Sequence, residues 1–383
     1  MTPGARAAAA IAVLDRVLAG DPAERALTNW ARSSRFAGSG DRAAVRDLVF
    51  DALRRKRSAA ALGGSMTGRG LVLGLCREAG TEALFSGEGH APAPVTQEDQ
   101  PRAPTEDDAL DAPDWLLAEL RGSLGPTASD VLQALRHRAP VFARVNLRKT
   151  DVAGALAALA REDITVKPHP LAATALEITG NARKLQASAA YRDGLVELQD
   201  AASQAIVAAL PLTDGLRVLD HCAGGGGKTL AMAAQARLRL FAHDIAPRRM
   251  ADLPPRAARA GVDVTLTEAP EALGPFDLVL VDAPCSGSGS WRRDPEGKWA
   301  LTPERLLALT GLQAEILRRT AAMVTPGGWL AYATCSVLRR ENRAQVDGFL
   351  ADAPDWSLGQ EVVLTPLSGG DGFYLALLRR SGG

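Results

Sequence analysis

The stretch Leu216-Arg-Val-Leu-Asp220-His-Cys-Ala-Gly224-Gly-Gly-Gly227-Lys228-Thr229-Leu-Ala-Met-Ala-Ala-Gln235 decides the fold. Its first residues form an apolar run too short for a helix and end on an acid. Four consecutive glycines follow, then a run of helix formers, so the segment reads as strand, tight turn and helix. A phosphate-binding Walker loop needs a glycine five residues before Gly227, and Cys222 occupies that place. The turn therefore suits a nucleoside-type ligand better than a polyphosphate.

Three further short apolar runs follow at helical intervals: Arg239–Asp244, Asp277–Asp282 and Trp329–Thr334. Continuous apolar strands separated by helices predict a parallel sheet buried on both faces, a doubly wound α/β domain. The last stretch, VVLTPLSGGDGFYLALLRR, predicts an antiparallel hairpin at the edge of that sheet. In such folds ligands collect beyond the carboxyl ends of the strands. Asp244, twenty residues past Gly224, ends the second strand where a carboxylate can accept from both ribose hydroxyls; it is equally suited to cap the helix that Pro247 opens. The later strands run into Asp282-Ala-Pro-Cys285-Ser-Gly and Ala333-Thr-Cys335-Ser. If those strands are neighbours, the two cysteines face one bound molecule. No Cys-x-x-Cys and no adjacent histidine supports zinc, so no metal is expected.

Upstream, helical periodicity runs from Ala5 to about Leu62, where Asp41 is suited to cap one helix and the cluster Arg54-Arg55-Lys56-Arg57 ends it. Residues 86–113 are rich in proline and acid and predict a mobile linker or long surface loop. A helical stretch from Asp114 to about Arg138 precedes a short strand and the helix DVAGALAALARE. The expected division is 1–85, 86–113, 114–195 (a small connecting α/β subdomain) and 196–383.

The 383 residues balance 44 basic against 44 acidic side chains, but residues 1–60 hold 11 basic and 6 acidic ones and residues 61–130 hold 4 and 12. Four widely spaced cysteines exclude a disulfide scaffold and fit a reduced, cytoplasmic setting. No apolar run is long enough to span a membrane, and no signal peptide is evident.

The Asp220–Thr229 segment, Asp282–Gly287 with RRDPEGKW (292–299), and Tyr332-Ala-Thr-Cys-Ser336 with Glu341-Asn342 resemble the motifs of the Sun/Fmu family of S-adenosylmethionine-dependent RNA cytosine-5 methyltransferases. Arg144-Val-Asn146, Gly194–Asp200 and Gly370–Phe373 extend the similarity over about 140–380. The N-terminal stretch, with Asp41–Phe50, resembles the NusB-like helical RNA-binding domain of the RsmB-type members that act on small-subunit (16S-type) rRNA. The resemblance implies that Cys335 is the nucleophile adding to cytosine C6, that Cys285 assists proton removal and release, and that Asp282 binds the cytosine edge. It implies a cofactor site of Cys222, Ala223, Gly224, Gly225, Gly226, Gly227, Lys228, Asp244, Arg249, Glu268 and Asp282. Arg292, Arg293 and Lys298 become the expected phosphate contacts beside a flipped nucleotide, with Trp291 and Trp299 available for stacking or core packing. A monomer acting on RNA is expected. Here Gly224 and Gly225 replace the family's usual Ala and Pro, and Glu268 its usual Asp. A tRNA cytosine-5 methyltransferase and a catalytically decayed RNA-binding assembly factor are the competing readings.

Overall fold

The first 138 residues fold as the spacing of their apolar side chains dictates. In the computed structural model, which describes residues 1–382, helices α1 (Pro3–Leu18), α2 (Ala23–Ser33), α3 (Ser39–Arg54), α4 (Lys56–Gly63) and α5 (Gly68–Glu78) turn their apolar faces inward. Val13, Leu14, Leu27, Val45, Val49, Leu53, Leu71 and Leu73 form their common core. Thr2 and Thr67 cap α1 and α5 by accepting from backbone N–H groups. Asp41 sits three residues past the N-cap Gly38, whose N–H it accepts while also binding Arg6 and the chain's amino group.

One expectation needs correction here. Residues 86–113 are not a free linker: Asp99, Asp108 and Asp111 are buried and paired with Arg69, with Arg57 and Arg102, and with Arg136, respectively. Unpaired acids would extend the chain, but arginines brought in by the helices make burial of these carboxylates tolerable. The helical unit also continues through α6 (Glu106–Ala109), α7 (Asp114–Leu124) and α8 (Ala128–Leu135) to Arg138, and it includes residues 291–301. The antiparallel sheet of the expected 114–195 subdomain thus lies beyond residue 139, while the helices of residues 114–138 pack with the helical unit.

The second unit comprises residues 139–290 and 302–383. Strands β1 (Val141–Val145), β2 (Thr165–Pro168), β3 (Ala175–Gly180) and β4 (Val196–Leu198) form an antiparallel sheet in the order β2-β3-β1-β4. The larger sheet contains β5 (Arg217–Asp220), β6 (Arg239–Ala242), β7 (Thr265–Leu266), β8 (Phe276–Asp282), β9 (Val324–Thr334), β10 (Trp356–Leu364) and β11 (Phe373–Arg380). Its order is β10-β11-β9-β8-β5-β6-β7, with β9-β8-β5-β6-β7 parallel and the final hairpin antiparallel. This is the doubly wound α/β arrangement with its terminal hairpin; only the two-residue β7 escaped the sequence reading. Val218, Leu278, Leu280 and Ala331 pack on one face and Leu219, Val279, Val281 and Tyr332 on the other, which is why the central positions of these strands are continuously apolar.

Candidate active site

Because β8 and β9 are parallel neighbours in the register Asp282 to Ala333, the loops leaving them start side by side. Cys285 Sγ and Cys335 Sγ lie 3.4 Å apart. The hydrogen bond from Cys285 lowers the Cys335 pKa below the ordinary thiol value, against burial and with the Lys228 ammonium helping. The same contact, together with burial, raises Cys285 well above that value. The pair is thus polarised, Cys335 favouring the thiolate and Cys285 the thiol that donates to it.

A buried polar network fixes this geometry. Glu341, with no exposed surface, accepts from Ser286 N (2.7 Å) and Ser286 Oγ (2.5 Å) in the Cys285 loop, from Ser336 Oγ (2.6 Å) beside Cys335, and from Gln313 Nε2 (3.2 Å). Gln313 also donates to Pro284 O. Ser288 and Ser336 share a hydroxyl contact of 2.8 Å, and Gly289 N donates to Cys335 O. A Cβ on Gly289 would fall 2.1 Å from Gly372 O, so only glycine lets the C-terminal turn pass so close. One carboxylate therefore holds both cysteine loops.

The glycine turn lies at the end of β5. Gly224 and Gly226 take positive φ angles of 50° and 77°, and a Cβ on Gly226 would collide with Leu253 at 2.1 Å. Gly224 N donates to Asp244 Oδ2 (3.1 Å); Asp244, buried at the end of β6, also accepts from Ala246 N and pairs with the half-exposed Arg249. The carboxylate serves its own loop as well as the site, so both readings of Asp244 hold locally. Lys228 Nζ donates to Asp282 Oδ2 (2.6 Å) above the Phe373 ring, which binds the glycine turn to the Asp-Ala-Pro-Cys turn. From the four-stranded sheet, buried Arg144 donates to Gly227 O (2.9 Å) and Gln199 Oε1 (2.5 Å), and Gln199 also donates to Gly227 O.

Asp220 is fully buried. Its Oδ2 accepts from Thr229 (2.6 Å), its Oδ1 has no partner among the described residues, and burial pushes its pKa up to about 7. On the adjoining positions His221 and His243 lie with ring centroids 4.8 Å apart, and burial followed by the His243 charge lowers His221 to about 4.

The structure brings together Cys285, Cys335, Asp282, Lys228, the glycine turn, Asp244 and Arg249. Cys222 and Ala223 begin the turn, and burial raises the Cys222 thiol. Glu268 is exposed just past β7. The three basic residues after the Cys285 turn do not act together. Lys298 is 1% exposed in the helical unit and donates to Arg54 O, so its ammonium is out of reach of a phosphate. Arg292 is also buried, and only Arg293 is exposed. Trp291 is core, and Trp299 Nε1 donates to Leu53 O. Sequence reasoning gave no structural role to Glu341 or to Phe373 of the Gly370–Phe373 motif, and it missed Gln313; the Glu341-Asn342 pair was visible, but nothing local indicated which loops it joins.

Comparison with known proteins adds a family to this geometry. Residues 207–379 match the family described as 16S rRNA methyltransferase RsmB/F, and residues 112–183 match its ferredoxin-like domain. The ribosomal RNA small subunit methyltransferase B of Salmonella arizonae is 33% identical over 282 residues, 70% of this chain and 66% of that protein. The chain thus spans just under two thirds of that relative's length. A methyltransferase homolog from Pyrococcus horikoshii is 25% identical, with a TM-score of 0.64 over 73% of this chain and 99% of its own. The crystal structure of PH0851, at 23% identity, shares the fold with a TM-score of 0.76 over 99% of both chains.

Proposed function

Because the chain belongs to the RsmB/F methyltransferase family, we propose that it transfers a methyl group from S-adenosylmethionine to C5 of a cytosine in small-subunit rRNA. The observation that carries this reading is the 3.4 Å contact between Cys285 and Cys335 beside the glycine turn and the Lys228–Asp282 pair. Cytosine C5 is a poor nucleophile, and a thiolate that adds to C6 makes it a better one. Cys335, whose pKa is lowered, is that thiolate. Its addition moves a C5=C6 electron pair to C5. S-Adenosylmethionine supplies an electrophilic methyl on a sulfonium centre. Asp282, partly exposed and held by Lys228, receives the cytosine edge near N3 and N4. Cys285, against the attacking sulfur, assists loss of the C5 proton and release of Cys335.

The residues present suit the cofactor. The positive-φ turn leaves backbone close to the open end of β5, and Asp244 is fixed by Gly224 and Ala246 while its third partner, Arg249, is 59% exposed and free to swing aside for ribose hydroxyls. Cys222 and Gly224 to Lys228 would border the methionine part, and Glu268 the adenine side. Methyl transfer to the interior of an RNA needs the target base unstacked, and the helical unit is the part of the chain we assign to RNA binding. Among the described residues no helix is long and apolar enough to cross a membrane.

Mapping 5-methylcytosine by bisulfite sequencing in total RNA, with and without the gene, tests the reading. One rRNA cytosine should lose its mark in the deletion strain. A loss confined to tRNA, or none, overturns the assignment.

A further inference from the structure

The basic residues that sequence nominated for RNA are engaged within the helical unit. Arg54 donates to Arg292 O and pairs with Asp51; Arg55 pairs with Glu78; Arg57 pairs with Asp108 and Asp114; Lys298 is buried. The positive surplus of residues 1–60 must therefore act elsewhere. It does so where α2 turns into α3. A cavity of about 620 Å³ there is lined by Thr28, Ala31, Arg32, Arg35 and Arg42, three guanidinium groups and no carboxylate.

The acids nearest in sequence are already neutralised. Glu24, which lines the adjoining cavity, is bound by both terminal nitrogens of Arg46, and Asp41 is bound by Arg6 and the amino terminus. Arg42 spends only Nε, on Ala37 O, which fixes its stem and leaves its terminal nitrogens for another acceptor. Arg32 and Arg35 are exposed, with no acidic partner among the described residues. Next to Arg35, Phe36 is 78% exposed. A large aromatic ring left in water beside Arg35 gains hydrophobic free energy when a flat apolar surface covers it.

We propose that this groove binds a single-stranded segment of the RNA substrate, with Arg32, Arg35 and Arg42 on its phosphates and Phe36 stacked on a base. Single-stranded RNA presents a base face and a phosphate at every step, the combination such a groove takes. A phosphopeptide would use the arginines but leave Phe36 uncovered. The inference rests on the RNA-methyltransferase reading for its choice of substrate and adds a recognition surface distinct from the cysteine site.

The test is fluorescence anisotropy of the full chain with a fluorescein-labelled oligouridylate of about 12 nucleotides, a length within single-strand site sizes, over a series of KCl concentrations. The side chains altered are exposed, so the variants fold, as circular dichroism will verify. Arg32→Gln/Arg35→Gln should bind more weakly and flatten the log affinity against log salt slope by about 1.4, since each phosphate contact on a single strand contributes about 0.7. Phe36→Ala should lose about five- to 150-fold in affinity, the range of one base stack, with the slope unchanged. Wild-type affinity and slope in both variants would overturn the proposal; a weaker double variant with an unchanged slope would overturn the phosphate contacts. Anisotropy needs no methyl transfer, so a wild-type protein that binds here yet methylates no RNA would refute the catalytic reading alone.

Discussion

Cys285 Sγ lies 3.4 Å from Cys335 Sγ, although fifty residues separate them in the chain. The contact divides the labour between two chemically identical groups: the donor is held as a thiol and the acceptor is pushed toward thiolate. Their loops leave adjacent parallel strands in matched register, so the separation is set by the sheet and held by Glu341.

The two cysteines should differ in what their loss leaves behind. Cys285→Ala should accumulate a covalent protein–RNA adduct that survives a denaturing gel, because Cys335 adds but is not released. Cys335→Ala should give none. An adduct in the second variant would reverse the roles.

Cys335 should alkylate with a midpoint below the usual thiol value of about 8.5. Cys285→Ala removes the donated hydrogen bond, the main cause of the lowering, so the midpoint should rise. Iodoacetamide labelling of Cys335 against pH, followed by peptide mass spectrometry, measures both. An unchanged midpoint would separate the pair electronically.

Glu341→Gln keeps the size of the side chain but replaces a carboxylate that accepts four hydrogen bonds. One amide oxygen cannot replace two charged ones, and bonds to a charged group are worth about 1.5–3 kcal/mol each. The turnover number should fall by about 100-fold with little change in KM for either substrate, since the loops that carry the cysteines lose their common anchor. The negative charge also opposes both thiolates, so the Cys335 labelling midpoint should move down while activity falls. A merely destabilised fold would not shift that midpoint.

Arg144→Lys should weaken S-adenosylmethionine binding. The guanidinium supports Gly227 O and Gln199 together, whereas an ammonium on a shorter reach holds one at best. A loss of about 10-fold, roughly one hydrogen bond to a charged group, should register in calorimetry without RNA present. Undiminished affinity would mean that the glycine turn holds its shape unaided.

Asp220 and His221 should give stability opposing dependences on pH. His221, at about 4 when folded against an ordinary 6.5, binds fewer protons in the fold, so its contribution is lost as pH falls from 6.5 to 4. Asp220, at about 7 when folded against an ordinary 3.8, binds more, so its contribution is lost as pH rises from 3.8 to 7. They span about 3 kcal/mol for His221 and about 4.5 kcal/mol for Asp220 at 1.36 kcal/mol per unit, and the two largely cancel between pH 4 and 6.5. Urea unfolding of Asp220→Asn should then show stability rising across that window, and His221→Gln should show it falling. Identical profiles for both variants would exclude the opposition.

The sequence alone determined what depends on neighbours in the chain. The strand runs, the glycine turn after Asp220, the acid at the end of β6 and the cysteines at two strand ends were legible because strand length, positive φ and strand-end position are local properties. The parallel sheet then brought those ends together as its topology requires. Tertiary structure decided which charges are free. Arg54, Arg55, Arg57, Lys298, Asp99, Asp108 and Asp111 look alike in sequence to exposed groups, yet they are buried or paired with partners up to 244 residues away, while among the described residues Arg32 and Arg35 have no acidic partner. Likewise Glu341 read only as part of a motif until the fold set it under both cysteine loops. Charge is written residue by residue, but burial and pairing are properties of the packed chain.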